Sequence, residues 1–310
     1  MGKPHSLGYA VIETSAVSAA AWRSFGTDAL GLMLSDEKMS DSGVLRFRMD
    51  ERCCRLAVVP SSQERVSFGW EYSSRREMET AVSSLSESGV VLNEITEEGL
   101  AIRGVAAAFA FEDPAGASHE VFCGANVDPI TQFISPHGTQ FITGDGGFGH
   151  AVLLVSAFDE AVAFYEEVLG LQLRDEKPGE LAFFGCNSRE HSLAIAHAPG
   201  LPQTQVMHLM LEASRLEDVG RAQDRALEGA APLTVTMGQH WNDLMVSCYI
   251  KSPSEFEIEF GFGGARVRPD NVSYVRQSGH GGASLWGHRV VLLDGSLGPN
   301  LGKAIEFAGT

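Results

Sequence analysis

Residues 148–173, FGHAVLLVSAFDEAVAFYEEVLGLQL, read as an aliphatic, β-branched strand, a short turn and an amphipathic helix that stops at Leu169-Gly170. Residues 7–34, LGYAVIETSAVSAAAWRSFGTDALGLML, repeat the pattern and stop at Leu30-Gly31. Short strands are expected at 44–49, 54–59 and 66–72 after the first copy, and at 181–185, 191–196 and 206–212 after the second. A second helix follows in each half, near 75–88 and 215–228. Each half closes in a hairpin around a proline, AAFAFEDPAGASHEVF at 107–122 and SCYIKSPSEFEIEF at 247–260. A repeat of roughly 140 residues is too long for a solenoid and indicates a duplicated module. The Gly-, Pro- and polar-rich stretch 124–147 is the expected linker, which divides the chain into 1–135 and 136–310. The Gly-rich tail from about Gly281 has no counterpart in the first half.

Composition narrows the function classes. In the 310 residues, 44% are hydrophobic and 20% charged, as in an ordinary globular protein with a full core. A net charge of −17 argues against nucleic acid or an anionic membrane as partner, since both require a basic face. No apolar run approaches the roughly 20 residues that cross a bilayer. The opening MGKPHSLGYAVIE lacks the apolar core and cleavage site of a secretory signal. Five cysteines, Cys53, Cys54, Cys123, Cys186 and Cys248, without framework spacing point to reduced thiols and a cytoplasmic location.

The halves part company in their chemistry. Aligned by eye, Tyr9 stands where the second half has His150, and Phe68 where it has His208; Glu120 alone matches, opposite Glu259. The first half is therefore expected to be a scaffold without metal. In the second half, residues 238–259, GQHWNDLMVSCYIKSPSEFEIE, carry a histidine, a tyrosine, a proline turn and a strand bearing Glu259. Strand alternation places Phe256, Ile258 and Phe260 on one face, and Glu257 and Glu259 on the other. It also places His208 opposite Met207, Leu209 and Leu211. Alternation cannot choose between Glu257 and Glu259, or between His208 and Glu212.

This stretch, with the segments around His150 and His208, resembles the signature of the type I extradiol catechol dioxygenases of the vicinal oxygen chelate superfamily. The resemblance implies an α+β fold of two tandem modules, each a half-open barrel of paired βαβββ units. It implies His150, His208 and Glu259 as ligands of Fe(II), a donor set that also accepts Mn(II). The remaining positions would take a chelating catechol and dioxygen, giving a ring-opened 2-hydroxy-dienoate. Fe(II), the Glu259 carboxylate and a singly deprotonated catechol sum to a neutral site, which avoids burying an unpaired charge.

By the same resemblance His191, in NSREHSLAIA, lies beside the oxygen position, and His240, Asp243 and Tyr249 flank the substrate. A histidine at 191 suits proton transfer near neutrality, Tyr249 suits holding an ionised substrate oxygen, and Asp243 suits orienting His240. Three positions depart from the signature: Cys248 is normally aliphatic, Ser252 normally acidic or amide, and Glu255 normally a turn glycine or proline. The LGY opening and HLMLEASRLEDVGRA at 208–222 look most like enzymes that prefer bicyclic catechols, with Val152 and Phe183 placed to wall a second ring. Members of the family commonly assemble as homo-oligomers, often of eight subunits. His5, His119, His137, His197, His280 and His288 lack comparable context and read as ordinary residues.

Rival functions are a glyoxalase-like or manganese-dependent enzyme on the same fold, and a non-catalytic small-molecule binding protein. A glyoxalase-type site uses a second glutamate and draws ligands from both modules, which the first half lacks, whereas a manganese-dependent enzyme would use the same three ligands. A binding protein has no need of His191 and Tyr249 beside a ligand set.

Overall fold

The computed structural model describes residues 2–35, 42–267, 276–277 and 284–301. The first half contributes β1 (Ser6–Thr14), β2 (Met33–Leu34), β3 (Leu45–Arg48), β4 (Leu56–Pro60), β5 (Arg65–Tyr72), β6 (Asn93–Glu94), β7 (Val105–Glu112) and β8 (Ser118–Ala125). The second contributes β9 (His150–Val155), β10 (Gln172–Lys177), β11 (Leu181–Gly185), β12 (Leu193–His197), β13 (Gln205–Ala213), β14 (Leu233–His240), β15 (Val246–Lys251) and β16 (Glu257–Phe262). The helices are α1 (Ala16–Ser24), α2 (Arg75–Glu87), α3 (Glu97–Arg103), α4 (Phe158–Ala163) and α5 (Leu216–Leu227).

The strand order proves the duplication. The first sheet runs β2-β3-β4-β1-β5-β8-β7-β6 and the second β10-β11-β12-β9-β13-β16-β15-β14, the same order element for element. In each, two antiparallel strands meet at the centre (β1 with β5, β9 with β13), flanked by the parallel pairs β1–β4, β5–β8, β9–β12 and β13–β16. Neither sheet closes on itself. This is the vicinal oxygen chelate fold, with each sheet curling into an open cup.

Local sequence sets the helix ends. Ser15 caps α1 by accepting from the Ser18 N–H. Both α1 and α4 widen into a π-type turn at an equivalent phenylalanine, Phe25 and Phe164. Both then stop at glycines in the left-handed region, Gly31 and Gly170, where a side chain would be strained.

One apolar core runs behind both sheets, including Leu209, Leu211, Ile258 and Phe260 on the second, as the alternation requires. Met207 is the exception, 44% exposed. A β-bulge between Val206 and His208 leaves it as the extra residue and hands its core position to Val206. Buried polar contacts also join the halves. His119, fully buried, accepts from Trp70 Nε1 through Nδ1 and meets Tyr165 Oη through Nε2 at 3.1 Å, and Tyr165 donates to Asp113. Trp22 Nε1 donates to Ser254 Oγ.

The tail is placed too. β17 (Arg276–Gln277) joins β10, while β18 (Ser284–Trp286), β19 (Arg289–Val291) and β20 (Leu297–Asn300) extend the second sheet beyond β14. His280 and Gly281 lie outside the described residues. No helix among the described residues is long and apolar enough to cross a membrane.

Candidate active site

Register brings three side chains to one spot on the concave face of the second sheet. Met210, on the central strand β13, lies opposite His150 on β9 and opposite Glu259 on β16. His208, two residues before Met210, points the same way. The three polar tips then converge: His150 Nε2 to His208 Nε2 is 3.2 Å, His150 Nε2 to Glu259 Oε2 is 3.1 Å, and His208 Nε2 to Glu259 Oε2 is 3.2 Å. Three donors at right angles around a transition-metal ion, about 2.0–2.2 Å from it, lie roughly 2.8–3.1 Å apart. The observed triangle therefore fits one face of an octahedrally coordinated ion, with the opposite face left to other ligands.

The electrostatics suit a cation. Burial, with His191 alongside, holds the His150 pKa well below the usual imidazole range, so the ring is neutral with a lone pair to give. Burial opposes the charge on Glu259, but hydrogen bonds from His150, His208 and His240 outweigh it and keep the carboxyl well below the usual range. A neutral imidazole at His150 and an ionised carboxylate at Glu259 are protonation states that suit a divalent ion.

The same row continues onto β15, where Tyr249 lies opposite Glu259. Its hydroxyl is 2.7 Å from His240 Nε2, which in turn is 3.3 Å from Glu259 Oε1. Burial, reinforced by Glu259 and Asp243, drives the Tyr249 pKa well above its ordinary value, keeping the phenol a donor. On the other side, the His191 ring packs against His150 with centroids 4.1 Å apart and a tilt of 32°. Asp243 caps its own loop by accepting from the Met245 N–H. Its carboxyl also comes within 4.8 Å of ligating atoms of His150 and His191, so it faces the His191 side of the site as well as His240.

Glu190 escaped the sequence reading. It is buried, and its Oε2 accepts from His191 Nδ1 at 2.6 Å. That contact fixes the tautomer and leaves Nε2 as the free nitrogen. Burial favours a neutral His191, and the Glu190 hydrogen bond overcomes it to raise the pKa. The only signal in the sequence was its position directly before His191.

The two residues that alternation left open as alternatives have different surroundings. Glu212 is held by the buried Arg189 and by Arg266, whose Nη2 is 2.8 Å away. Glu257 sits at the half-exposed start of β16. Val152 and Phe183 form a small apolar cluster with Ala194, apart from the main core, and Phe183 meets the His191 ring edge-on at 5.0 Å between centroids. Of the three departures from the signature, Cys248 is core-buried and its thiol is pushed up to about 12 by burial. Ser252 caps the turn, accepting from the Ser254 N–H, and Glu255 adopts the left-handed φ of 67° that a glycine would normally supply.

The equivalent row in the first sheet is Tyr9, Gly69, Glu120 and Ala110. This corrects the alignment by eye: the counterpart of His208 is Ser67, not Phe68, which lies one residue on and faces the core. Tyr9 donates to Glu120 Oε2 at 2.5 Å, and a Cβ at Gly69 would collide with the Tyr9 ring. Arg103, from α3, grips Glu120 through Nε and Nη2 at 2.6 and 2.5 Å. A guanidinium thus neutralises the carboxylate that in the second sheet faces two imidazoles.

Residues 147–260 match the family described as the glyoxalase/bleomycin resistance protein/dioxygenase superfamily, and residues 7–61 match the dihydroxybiphenyl dioxygenase BphC D1 family. The chain is 39% identical to an iron-dependent extradiol dioxygenase of Rhodococcus jostii, over 91% of this chain and 96% of that one. It is 37% identical to a biphenyl-2,3-diol 1,2-dioxygenase of Paraburkholderia xenovorans, covering 92% and 95% of the two. Among solved structures it superposes on BphC, a halotolerant catechol dioxygenase, with a TM-score of 0.86, 36% identity, and coverage of 97% and 99%.

Proposed function

The chain belongs to the extradiol dioxygenases of the vicinal oxygen chelate superfamily, and from that premise we propose that residues 136–310 hold the catalytic centre and residues 1–135 a metal-free scaffold. The protein is an iron-dependent enzyme that inserts both atoms of dioxygen into a catechol, opening the ring beside the hydroxyl pair. The observation that carries the site assignment is the near-equilateral triangle of His150 Nε2, His208 Nε2 and Glu259 Oε2. When bound there, Fe(II) supplies a redox-active centre at which the catechol chelates and dioxygen is activated; Mn(II) suits the same donors.

The surrounding residues then have defined tasks. Tyr249 donates to the substrate oxygen nearer β15 and stabilises its ionised form, with His240 holding the Tyr249 hydroxyl. His191, fixed by Glu190, offers Nε2 to take the catechol proton and to return a proton to the departing oxygen. Asp243 faces His191 and His240, and burial raises its pKa against the pull of those two imidazoles. Val152 and Phe183 line the cup beside His191 and favour a catechol carrying a 3-substituent or a second ring. The free state of all five cysteines is in keeping with a reducing cytoplasm, and assembly as a homo-oligomer is expected.

Oxygen uptake with catechol, 3-methylcatechol and 2,3-dihydroxybiphenyl, on protein whose metal content is measured, tests this reading. The bicyclic substrate should give the highest kcat/KM. A preference for plain catechol would overturn the pocket assignment, and absence of uptake with all three would overturn the site.

A further inference from the structure

His288 had no assigned role in the sequence, yet it lies against the site. It is fully buried between β18 and β19, and its ring packs against His240 with centroids 4.3 Å apart at a tilt of 39° and approaches Tyr249 edge-on at 5.8 Å. Both ring nitrogens are engaged. Nε2 is 3.1 Å from the Ser247 carbonyl oxygen, which can only accept, so Nε2 carries the proton. Nδ1 is therefore the acceptor for the Ser284 hydroxyl, 2.7 Å away. Burial and the neighbouring His240 push its pKa down to about 4, so the ring is neutral.

The backbone is built to allow this approach. A side chain at Gly238 on β14 would place its Cβ 2.2 Å from His288 N, and one at Gly287 would sit 2.3 Å from Met237 O. His288 itself adopts φ 48°, a left-handed conformation that costs a non-glycine residue energy unless its surroundings hold it. The tail strands are thus pressed onto β14 at the point where His240 leaves it.

We propose that His288 is a positioning residue: the C-terminal segment clamps the His240 ring, and so the Tyr249 hydroxyl, in the orientation catalysis requires. The inference rests on the reading of His240 and Tyr249 given under the proposed function. A ring fixed at both nitrogens forms a rigid wall, and His240, packed against it, is restricted to the rotamer that meets Tyr249 and Glu259.

A double-mutant cycle on the iron-loaded, full-length protein decides it. His288→Ala should lower kcat on the order of 10-fold with iron content and KM little changed, because outer positioning partners typically contribute that much. In the His240→Ala background the same substitution should cost less than about 2-fold, since its effect passes through His240. His288→Gln, which keeps bulk and a donor toward Ser247, is carried through the same cycle so that a poorly folding alanine variant leaves the answer intact. An undiminished kcat, or a loss that simply adds to that of His240→Ala, would overturn the inference alone. No effect of His240→Ala by itself would overturn the reading of His240 and this inference with it.

Discussion

The two cups share strand order and register but are filled by opposite means. In the first, Tyr9, Val11, Cys54, Ala57, Val105, Ala108 and Phe122 form a closed apolar cluster, and α3 lays Leu100 and Ile102 across the mouth. Arg103 supplies the positive charge that Glu120 requires. In the second, Val152, Phe183 and Ala194 leave only a thin lining, and Glu259 faces two imidazoles. Position by position, Cys54 stands for His191, Ser67 for His208 and Ala110 for Tyr249. On the proposed reading, one fold serves as a scaffold when the cup is packed and internally neutralised, and as a reactive centre when the cup is left open with its carboxylate facing imidazoles.

The strongest way to break this contrast is His208→Ala. It should abolish iron binding and oxygen uptake while the far-UV circular dichroism stays that of the parent, because His208 contributes to the site and not to the core behind β13. Retained iron with full activity would dissolve the distinction between the cups. Next in size, His191→Ala should keep iron and substrate binding but lose kcat on the order of 10²–10⁴-fold, the usual worth of a proton-transferring group. A change confined to KM would make His191 a binding residue instead.

On the other side of the comparison, Glu120→Gln breaks the ion pair between the buried Glu120 and the half-buried Arg103 and should cost about 2 kcal/mol of stability, read from chemical denaturation, with the kcat of the folded protein unchanged. A loss of turnover at native stability would mean that the first cup contributes to chemistry. The smallest effect expected is at the lining. Phe183→Ala should reduce the preference in kcat/KM for 2,3-dihydroxybiphenyl over catechol by about 10-fold, or about 1.4 kcal/mol, the scale of a lost apolar contact. An unchanged ratio would return Phe183 to plain core packing.

The duplication was legible because strand, helix and Leu-Gly stop recur with the same spacing, and each of these is a local signal. Alternation found the faces of β16 correctly but misjudged Met207, since a bulge adds one residue and no residue type announces it. The confusion of Phe68 with Ser67 is likewise a one-residue slip, invisible until β1 and β5 pair. The proposed ligand trio was visible through resemblance; alternation alone could not separate Glu259 from the half-exposed Glu257, or His208 from Glu212, whose partners Arg189 and Arg266 are distant in sequence. Arg103, Glu190 and His288 were also missed. Arg103 acquires its role from Glu120 and His288 from a tail docked where Gly238 and Gly287 leave room, while Glu190 acts on its own neighbour, His191, whose ring it reaches only once the chain has folded.

Iron stoichiometry in three proteins tests the account most directly: the parent, Glu259→Gln and Glu120→Gln, purified alike and assayed for metal by mass spectrometry. About one iron per chain is expected in the parent and in Glu120→Gln, and almost none in Glu259→Gln. Two irons per parent chain, or iron that follows Glu120 and not Glu259, would contradict it.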